Sequence, residues 1–340
     1  MPRGGPLAAR LFVALGLIVL VLVLDRRKTR AGSIPRPRVA VNPRPTQPPP
    51  APPIHVVMAD EAVPWSNTGG GKQRVAILAA SRSTSQDDHV STTALQSLLL
   101  PSIALTVTER EQHTSDVRLY VALDQDDLFW TENAKQLRST APWLQIHVRF
   151  YEKRGQRIPF VEIAAEAFAD GADFFVRVND DTEFLTPWIA QGVGSLRESA
   201  GVGVVGPTVI ETASRYSLAA RTASPSTVGA GAGAGDASDV GEHDAVNGGC
   251  DILTFDMVSR KHMQIFNTYY PTVFSAWYLD DWITQVYRPE FCKLLPEWRV
   301  AHHNKLTRYQ PNPEQKALLA PEVAAGQARV RAWLAAHSNG

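Results

Sequence analysis

The amino-acid sequence predicts an α/β domain in which helices flank a mostly parallel central sheet. The chain has 340 residues, 44% of them hydrophobic, which is enough to bury a sizeable core. Apolar runs with the length and the β-branched or aromatic content of strands occur at 74–81, 117–123, 144–150, 174–178 and 201–207. Apolar residues at helical spacing occupy 91–105 and 158–172, between these runs. This alternation favours parallel strands, because parallel neighbours need a crossover connection that is usually a helix.

The N-terminal 71 residues predict a membrane anchor followed by a stiff spacer. Residues 11–24 are uniformly apolar, which suits either an uncleaved signal anchor or a cleaved leader. We favour the anchor because no small-residue cleavage site follows the run. Residues 34–53 are dense in proline, so they predict an extended stem. The prediction is a short cytosolic tail with a signal-anchor segment over 1–33, a stem over 34–71, and a body that lies in a lumen.

The composition of the body disfavours nucleic acid as a partner. The first 38 residues hold eight of the 34 Lys and Arg residues and one of the 34 Asp and Glu residues, which leaves 26 basic and 33 acidic residues beyond them. A mildly acidic body does not attract a phosphate backbone. The two cysteines, Cys250 and Cys292, either pair in an oxidising lumen or remain buried thiols, and both readings stay open.

The rest of the chain divides into one main domain and a tail. The main domain is predicted over 72–312, with a Gly-rich and unpatterned segment at 223–241 that reads as a disordered insertion. Residues 313–340 are Ala-rich and predict a helical tail, interrupted at Pro321 and without chemistry of its own.

The most informative stretch is Phe174–Leu185, in which an apolar strand ends abruptly in acidic residues. Asn179, Asp180 and Asp181 follow the strand, and Glu183 comes soon after. Open α/β sheets bind ligands at the carboxyl ends of their strands. Carboxylates this close repel one another unless a cation compensates them, and Mn²⁺ or Mg²⁺ suits oxygen ligands. The stretch therefore predicts a divalent metal site, with a solvated acidic turn as the alternative.

Three motifs in this order resemble the GT-A class of nucleotide-sugar-dependent glycosyltransferases, with the motif order of β-1,3-galactosyltransferase-like families. They are the strand with its DxD-type ending at 174–184, the Gly-rich segment 245–258, and the acidic motif "WYLDDWIT" at 277–284. The likeness spans about 74–309. It departs from the class at Asn179, where many members have an aspartate. The resemblance implies a Rossmann-like GT-A fold and transfer of a sugar from a nucleotide-sugar donor to a hydroxyl of a glycan or glycoprotein.

The same resemblance implies metal dependence, an inverting mechanism and a single-pass type II protein of the Golgi membrane with a lumenal catalytic domain. Asp181 is then the direct metal ligand, and either His302 or His303 completes the metal shell. Period-two alternation puts His302 on the inward face of its extended segment. Asp281 is the preferred catalytic base and Asp280 its partner, although two acids in the first turn of a helix would also be explained by the helix dipole.

The remaining site residues implied by the resemblance divide into a donor set and an acceptor set. The donor nucleotide-sugar is expected at Ala80, Ser81, Arg82, Asp124, Asn179 and Asp180. The acceptor is expected at Asn247, Gly248, Gly249 and Trp277. An ordinary turn explains the glycines nearly as well, and core packing explains the tryptophan. Two rival functions use the same residues: a carbohydrate-binding protein that has lost activity, and a metal-dependent phosphohydrolase.

Overall fold

The computed structural model describes residues 56–58, 71–211, 250–303 and 311–337. All of these belong to one unit, Ala51–Gly340. The predicted anchor over 1–33, almost all of the stem over 34–71 and the predicted insertion over 223–241 lie outside the described residues. Within the described ranges, no helix has the length and apolar character needed to cross a bilayer. This finding corrects the prediction of a single-pass Golgi membrane protein, which we do not retain.

Nine strands form one sheet. Their bounds are β1 Val56–Met58, β2 Gln73–Ser81, β3 Ser115–Asp124, β4 Gln145–Tyr151, β5 Phe174–Asn179, β6 Thr182–Phe184, β7 Val204–Glu211, β8 Asp256–Ser259 and β9 Cys292–His302. Their order across the sheet is β1-β4-β3-β2-β5-β8-β7-β9-β6. Five of the neighbouring pairs are parallel and three are antiparallel. The predicted α/β class, a Rossmann-like fold with a mostly parallel central sheet and flanking helices, is confirmed.

The parallel half of the sheet is buried on both faces. In β2, Val75 and Ile77 pack into one apolar cluster, whereas Ala76 and Leu78 pack into another on the opposite face. A strand covered on both sides reads as a continuous apolar run rather than as an alternating one. This is why "RVAILAAS" was recognisable as a strand from the sequence.

Helices cover both faces of the sheet. They are α1 Leu100–Thr106, which continues a π-helical turn at Leu95–Leu99, then α2 Glu109–Thr114, α3 Leu128–Asn133, α4 Phe160–Asp170, α5 Ile189–Glu198, α6 Arg260–Phe266, α7 Leu279–Tyr287 and α8 Pro313–His337. Glycine ends α4, since Gly171 takes the left-handed conformation with φ of 106°.

The C-terminal helix α8 packs on the domain and does not break at Pro321. The structure keeps one helix through that proline, which corrects the predicted interruption. Gly326 lies so close to Val286 of α7 that a Cβ there would be 2.6 Å from the nearest methyl group. Trp282 of α7 donates its indole N–H to the carbonyl oxygen of Glu322 at 3.2 Å. The helix is therefore anchored to α7 by close packing and a hydrogen bond.

The parallel pairing of β7 with β9 contains a bulge that sets the register of β9. Along β7, Pro207 pairs with Leu295, but the next residue, Thr208, pairs with Arg299. The residues 296–298 of β9 therefore have no partner in β7, and Trp298 from this bulge is buried in the core. Beyond the bulge, the end of β9 pairs with the short edge strand β6, where Thr182 lies opposite His302.

The two cysteines form a disulfide. The sequence had left open whether they pair or remain buried thiols. Cys250 bonds to Cys292, the first residue of β9, with 5.9 Å between their Cα atoms. The bond ties the segment that leads into β8 to the start of β9, and Arg288 donates a hydrogen bond to the carbonyl oxygen of Cys250.

Candidate active site

The carboxyl ends of three parallel strands meet at one edge of the sheet. Strand β2 ends at Ser81, β3 ends at Asp124 and β5 ends at Asn179. The chain extends the sheet from β2 through β3 to β4 and then places β5 on the other side of β2, so the strand order reverses between β2 and β5. Such a reversal leaves a crevice at the carboxyl ends, which is where open α/β sheets bind ligands.

A hydrogen bond crosses this crevice. The Ser81 hydroxyl donates to Oδ2 of Asp180 over 2.7 Å, and both side chains are buried. Strand β2 thus fixes one of the acids that follow β5. The sequence reasoning put both residues in the donor site, and the structure brings them into direct contact.

A cleft of about 330 Å³ opens above this edge. Most of the residues singled out from the sequence line it: Ala80, Ser81, Arg82, Asp124, Asn179, Asp180, Asp181, Trp277, Asp280 and His302. Its other walls come from Ala122, Ile158, Pro159, Phe160, Arg177, Thr254, Ala276 and Leu279. Its volume is in the range of about 300–1,000 Å³ that is typical of small-molecule sites. Residues as far apart in sequence as Ala80 and His302 therefore supply one concave surface.

The pairing of β6 with β9 brings His302 to Asp181. Because Thr182 lies opposite His302, the preceding Asp181 lies beside that histidine, and Nε2 of His302 is 3.5 Å from Oδ1 of Asp181. Nε2 of His302 is also 3.2 Å from Nδ2 of Asn179. The neighbouring backbone N–H, that of His303, donates to the carbonyl oxygen of Asp181 over 3.1 Å. The strand register thus holds an aspartate and an imidazole side by side.

His303 faces the other way. Its Nε2 lies 2.7 Å from Oε2 of Glu183, and both side chains are buried. His303 does not line the cleft. Consecutive residues of a strand point to opposite faces, so only one histidine of the pair reaches the crevice. Of the two predicted alternatives, the structure places His302 there.

Arg82 forms ion pairs at the mouth of the cleft. Its Nη1 lies 2.6 Å from Asp124 and 2.7 Å from Asp126. The hydrogen bond to Asp126 is the main reason that the pKa of Arg82 is raised, with Asp124 adding to it. Lys153 lies 3.6 Å from the same Asp124 carboxylate. Positive charge is therefore held beside the carboxyl end of β3.

A second arginine, missed by the sequence reasoning, lies in the wall of the cleft. Arg177 is buried, and its Nε donates to Asp256 over 3.0 Å and to the Tyr270 hydroxyl over 2.9 Å. Burial alone would lower the pKa of Arg177, but Tyr270, Asp256 and Asp280 together raise it. Arg177 thus stays charged beside the acids. A lone arginine in the apolar run "FFVRV" was a usable signal, because buried charges need partners.

The second acidic motif forms the start of α7. Asp280 and Asp281 lie in its first turn, as the helix-dipole interpretation predicted. Asp280 lines the cleft, whereas Asp281 does not. Tyr278, just before the helix, has a φ of 69°, which is a strained conformation for a residue with a side chain. This turn exposes Trp277, 38% of which is accessible, in the wall of the cleft.

Three predicted acceptor residues, Asn247, Gly248 and Gly249, lie outside the described residues. Among the described residues, no group of three or more His, Cys, Asp and Glu side chains is arranged to hold a metal ion. Two candidate ligand atoms do lie together, Oδ1 of Asp181 and Nε2 of His302, 3.5 Å apart. Adjacent ligands of an octahedral ion with bonds of about 2.1 Å lie roughly 3 Å apart, so this pair suits two positions of one shell.

Comparisons with known proteins give a distant structural likeness only. No protein-family model matches the chain, and no curated protein sequence does. S. aureus TarS 1–349 in complex with UDP is similar over 76% of this chain and 68% of that chain, with a TM-score of 0.46 and 11% identity. Its complex with UDP-GlcNAc covers 76% and 69%, with a TM-score of 0.47 and 10% identity.

Proposed function

We propose that this chain is a glycosyltransferase that moves a sugar from a nucleotide-sugar donor to a hydroxyl of a glycan or glycoprotein. One observation carries the proposal. The cleft at the strand-order reversal combines, within one concave surface, an acid and imidazole pair, two arginines and a separate carboxylate at a helix start. These are the groups needed to hold a diphosphate and to accept a proton from a hydroxyl.

The donor fits the side of the cleft formed by β2, β3 and β5. Its diphosphate carries negative charge, which Arg82 and Arg177 are positioned to offset. Asp124 holds the guanidinium of Arg82 in place by its ion pair of 2.6 Å. Asp180, fixed by Ser81, suits a hydroxyl of the donor, because a carboxylate accepts hydrogen bonds from sugar hydroxyls.

A divalent ion, Mn²⁺ or Mg²⁺, completes the proposed donor site. Asp181 and His302 would hold it. Such ions are commonly bound by one or two protein ligands together with substrate phosphates, which suits a site with only two neighbouring ligands. When bound, the ion would neutralise the charge that develops on the leaving diphosphate. Nδ2 of Asn179 lies 3.2 Å from the same Nε2 atom of His302, so this contact would give way when the ion binds there.

The proposed base is a carboxylate at the start of α7. The sequence favoured Asp281, but Asp280 is the residue in the cleft wall, so we assign the proton transfer to Asp280. Oδ1 of Asp280 accepts the backbone N–H of Asp281 over 3.1 Å, which orients the carboxylate. A base on the acceptor side and a leaving diphosphate on the donor side suit direct displacement with inversion.

Calorimetric titration of the full chain with a panel of nucleoside diphosphates, with and without Mn²⁺, tests the proposal. We expect one nucleotide to bind in the presence of Mn²⁺, and we expect Asp181→Ala to abolish the metal dependence. Glu132→Ala, an exposed acid that does not line the cleft, is the matched control and should bind as the wild type does.

The titration, together with an assay of nucleotide-sugar hydrolysis, separates the rival functions. Absence of binding by any nucleotide, from protein that is folded by circular dichroism, would refute the glycosyltransferase proposal. Nucleotide binding that is unchanged in Asp181→Ala would refute the metal site. Hydrolysis of the nucleotide-sugar at the same rate with and without every acceptor would favour the phosphohydrolase.

A further inference from the structure

A second cleft of about 400 Å³ opens beside Trp277. Eight described residues line it: Gln156, Ser275, Ala276, Trp277, Pro311, Asn312, Pro313 and Gln315. Two of them, Ala276 and Trp277, also line the candidate active site. The two clefts therefore adjoin each other along the loop that precedes α7, on the side of the site that carries Asp280.

The chemistry of the second cleft differs sharply from that of the first. None of the eight described residues that line it carries a formal charge, whereas the active-site cleft contains four aspartates and two arginines. Amide and hydroxyl groups, which both donate and accept hydrogen bonds, supply its polar surface. The indole of Trp277 adds a flat apolar face. Among the described residues, this combination suits the hydroxyls and the apolar face of an uncharged sugar ring and supplies no charge that would offset that of an acidic one.

Hydrogen bonds between α8 and the loop that precedes α7 fix the shape of this cleft before a ligand binds. Nε2 of Gln315 donates to the Ser275 hydroxyl over 2.8 Å, and the Ser275 backbone N–H donates to Oε1 of Gln315 over 3.3 Å. On the other side, the backbone N–H of Ile158 donates to the carbonyl oxygen of Ser275 over 2.9 Å. Asn312 accepts the backbone N–H of Glu314 over 2.9 Å. A preformed surface loses little conformational freedom when a ligand binds.

We infer that the second cleft is an acceptor subsite, and that the acceptor is an uncharged oligosaccharide of at least two sugar units. This inference rests on the proposed function. The terminal sugar lies at Trp277, where its hydroxyl reaches Asp280. The preceding sugar lies in the second cleft against Gln156 and Asn312. The C-terminal helix, which the sequence analysis left without chemistry, thereby helps to select the acceptor.

Binding of glycans to the full chain, measured by isothermal titration calorimetry in the presence of Mn²⁺ and the nucleotide found by the titration above, tests the inference. The panel contains neutral, sialylated and sulfated glycans of one to four sugars. We expect neutral glycans of two or more sugars to bind more tightly than their terminal monosaccharide. We expect the double variant Gln156→Ala/Asn312→Ala to weaken oligosaccharide binding about tenfold, since it removes two neutral hydrogen-bonding groups. Binding of the monosaccharide should change less than about twofold, because that sugar does not reach these amides.

Gln136→Ala is the matched control, because this exposed amide lines neither cleft. Equal affinity for a monosaccharide and its oligosaccharide, a preference for acidic glycans, or full binding by the double variant would overturn the inference. So would the absence of all glycan binding by protein that still binds the nucleotide, and in that case the proposed donor site would stand. Protein that binds neither nucleotide nor glycan would refute the proposed function itself.

Discussion

Replacing Asp256 by asparagine should destabilise the domain strongly, although the two side chains have nearly the same shape. Asp256 is fully buried, and Oδ2 accepts from Nε of Arg177 at 3.0 Å and from the Tyr270 hydroxyl at 2.7 Å. Its Oδ1 accepts from the Tyr269 hydroxyl at 2.7 Å. Asparagine has one oxygen in place of two, and its NH₂ group would face a donor. The substitution also leaves the charge of Arg177 without its counter-ion.

The size of the effect follows from the burial of this pair. Removing one partner of a buried ion pair typically costs about 3–5 kcal/mol, because the other charge stays buried and uncompensated. For a domain of this size, each kcal/mol lowers the Tm by about 2–4 °C, so we expect a fall of roughly 6–20 °C. Adding Arg177→Met to Asp256→Asn should recover part of the loss, because the isolated cation is then gone.

Thermal unfolding followed by circular dichroism, with the disulfide intact, measures these shifts. Asp251→Asn is the control, since Asp251 is exposed and should leave the Tm within about 2 °C of the wild type. A Tm for Asp256→Asn within about 2 °C of the wild type would refute the reasoning. A double variant less stable than Asp256→Asn alone would also refute it, because the arginine would then be stabilising without its partner.

Two further predictions concern the base and the pH dependence of stability. Asp280→Asn should lower the single-turnover rate of sugar transfer by about 10²–10⁴-fold while nucleotide binding persists. A larger loss of rate in Asp281→Asn would contradict the assignment of Asp280 as the base. Burial lowers the pKa of His147 and of His262 to about 4 each, so both stay neutral in the folded protein while the unfolded chain protonates near pH 6.5. Stability should be complete above about pH 6.5 and fall as the pH drops toward 4, by about 3 kcal/mol for each histidine. Urea unfolding between pH 7 and 4.5 checks this, and His147→Phe should flatten the profile; an equally steep profile in that variant would contradict the assignment.

The parallel half of the fold was predictable from the sequence because its strands are buried on both faces. Strand β5 was expected over 174–178 and is found at Phe174–Asn179. The edge that carries the site followed from the same pattern, since parallel strands end together. Strand β8 was harder to place: the run "DILTF" at 251–255 looks like a strand, but β8 begins at Asp256. There the pairing partner, β5, decides which residues form the ladder, and local propensity does not.

Most of the structural features that could not be predicted from the sequence are pairings between distant segments of the chain. Arg177 and Asp256 lie opposite each other in β5 and β8, yet 79 residues separate them in the chain. Each is a single charge in an apolar run, and the sheet register shows that they belong together. The two adjacent acids at the start of α7 point in directions about 100° apart, as successive helical residues do, so only one of them can face the cleft. The sequence did not reveal whether Asp280 or Asp281 faces the cleft.

Because of the bulge in β9, the candidate metal site depends on the number of residues between the bulge and the strand end as well as on their identity. His302 reaches Asp181 because the three unpaired residues 296–298 fix the register of the strand end that follows them. A shift of one residue in that end would turn Ala301 toward the crevice and send the imidazole to the opposite face. Insertions and deletions between the bulge and the strand end are therefore expected to be poorly tolerated, even where substitutions on the solvent side are harmless. In this protein, a single insertion or deletion in the short end of β9 would remove the site without changing any of its residues.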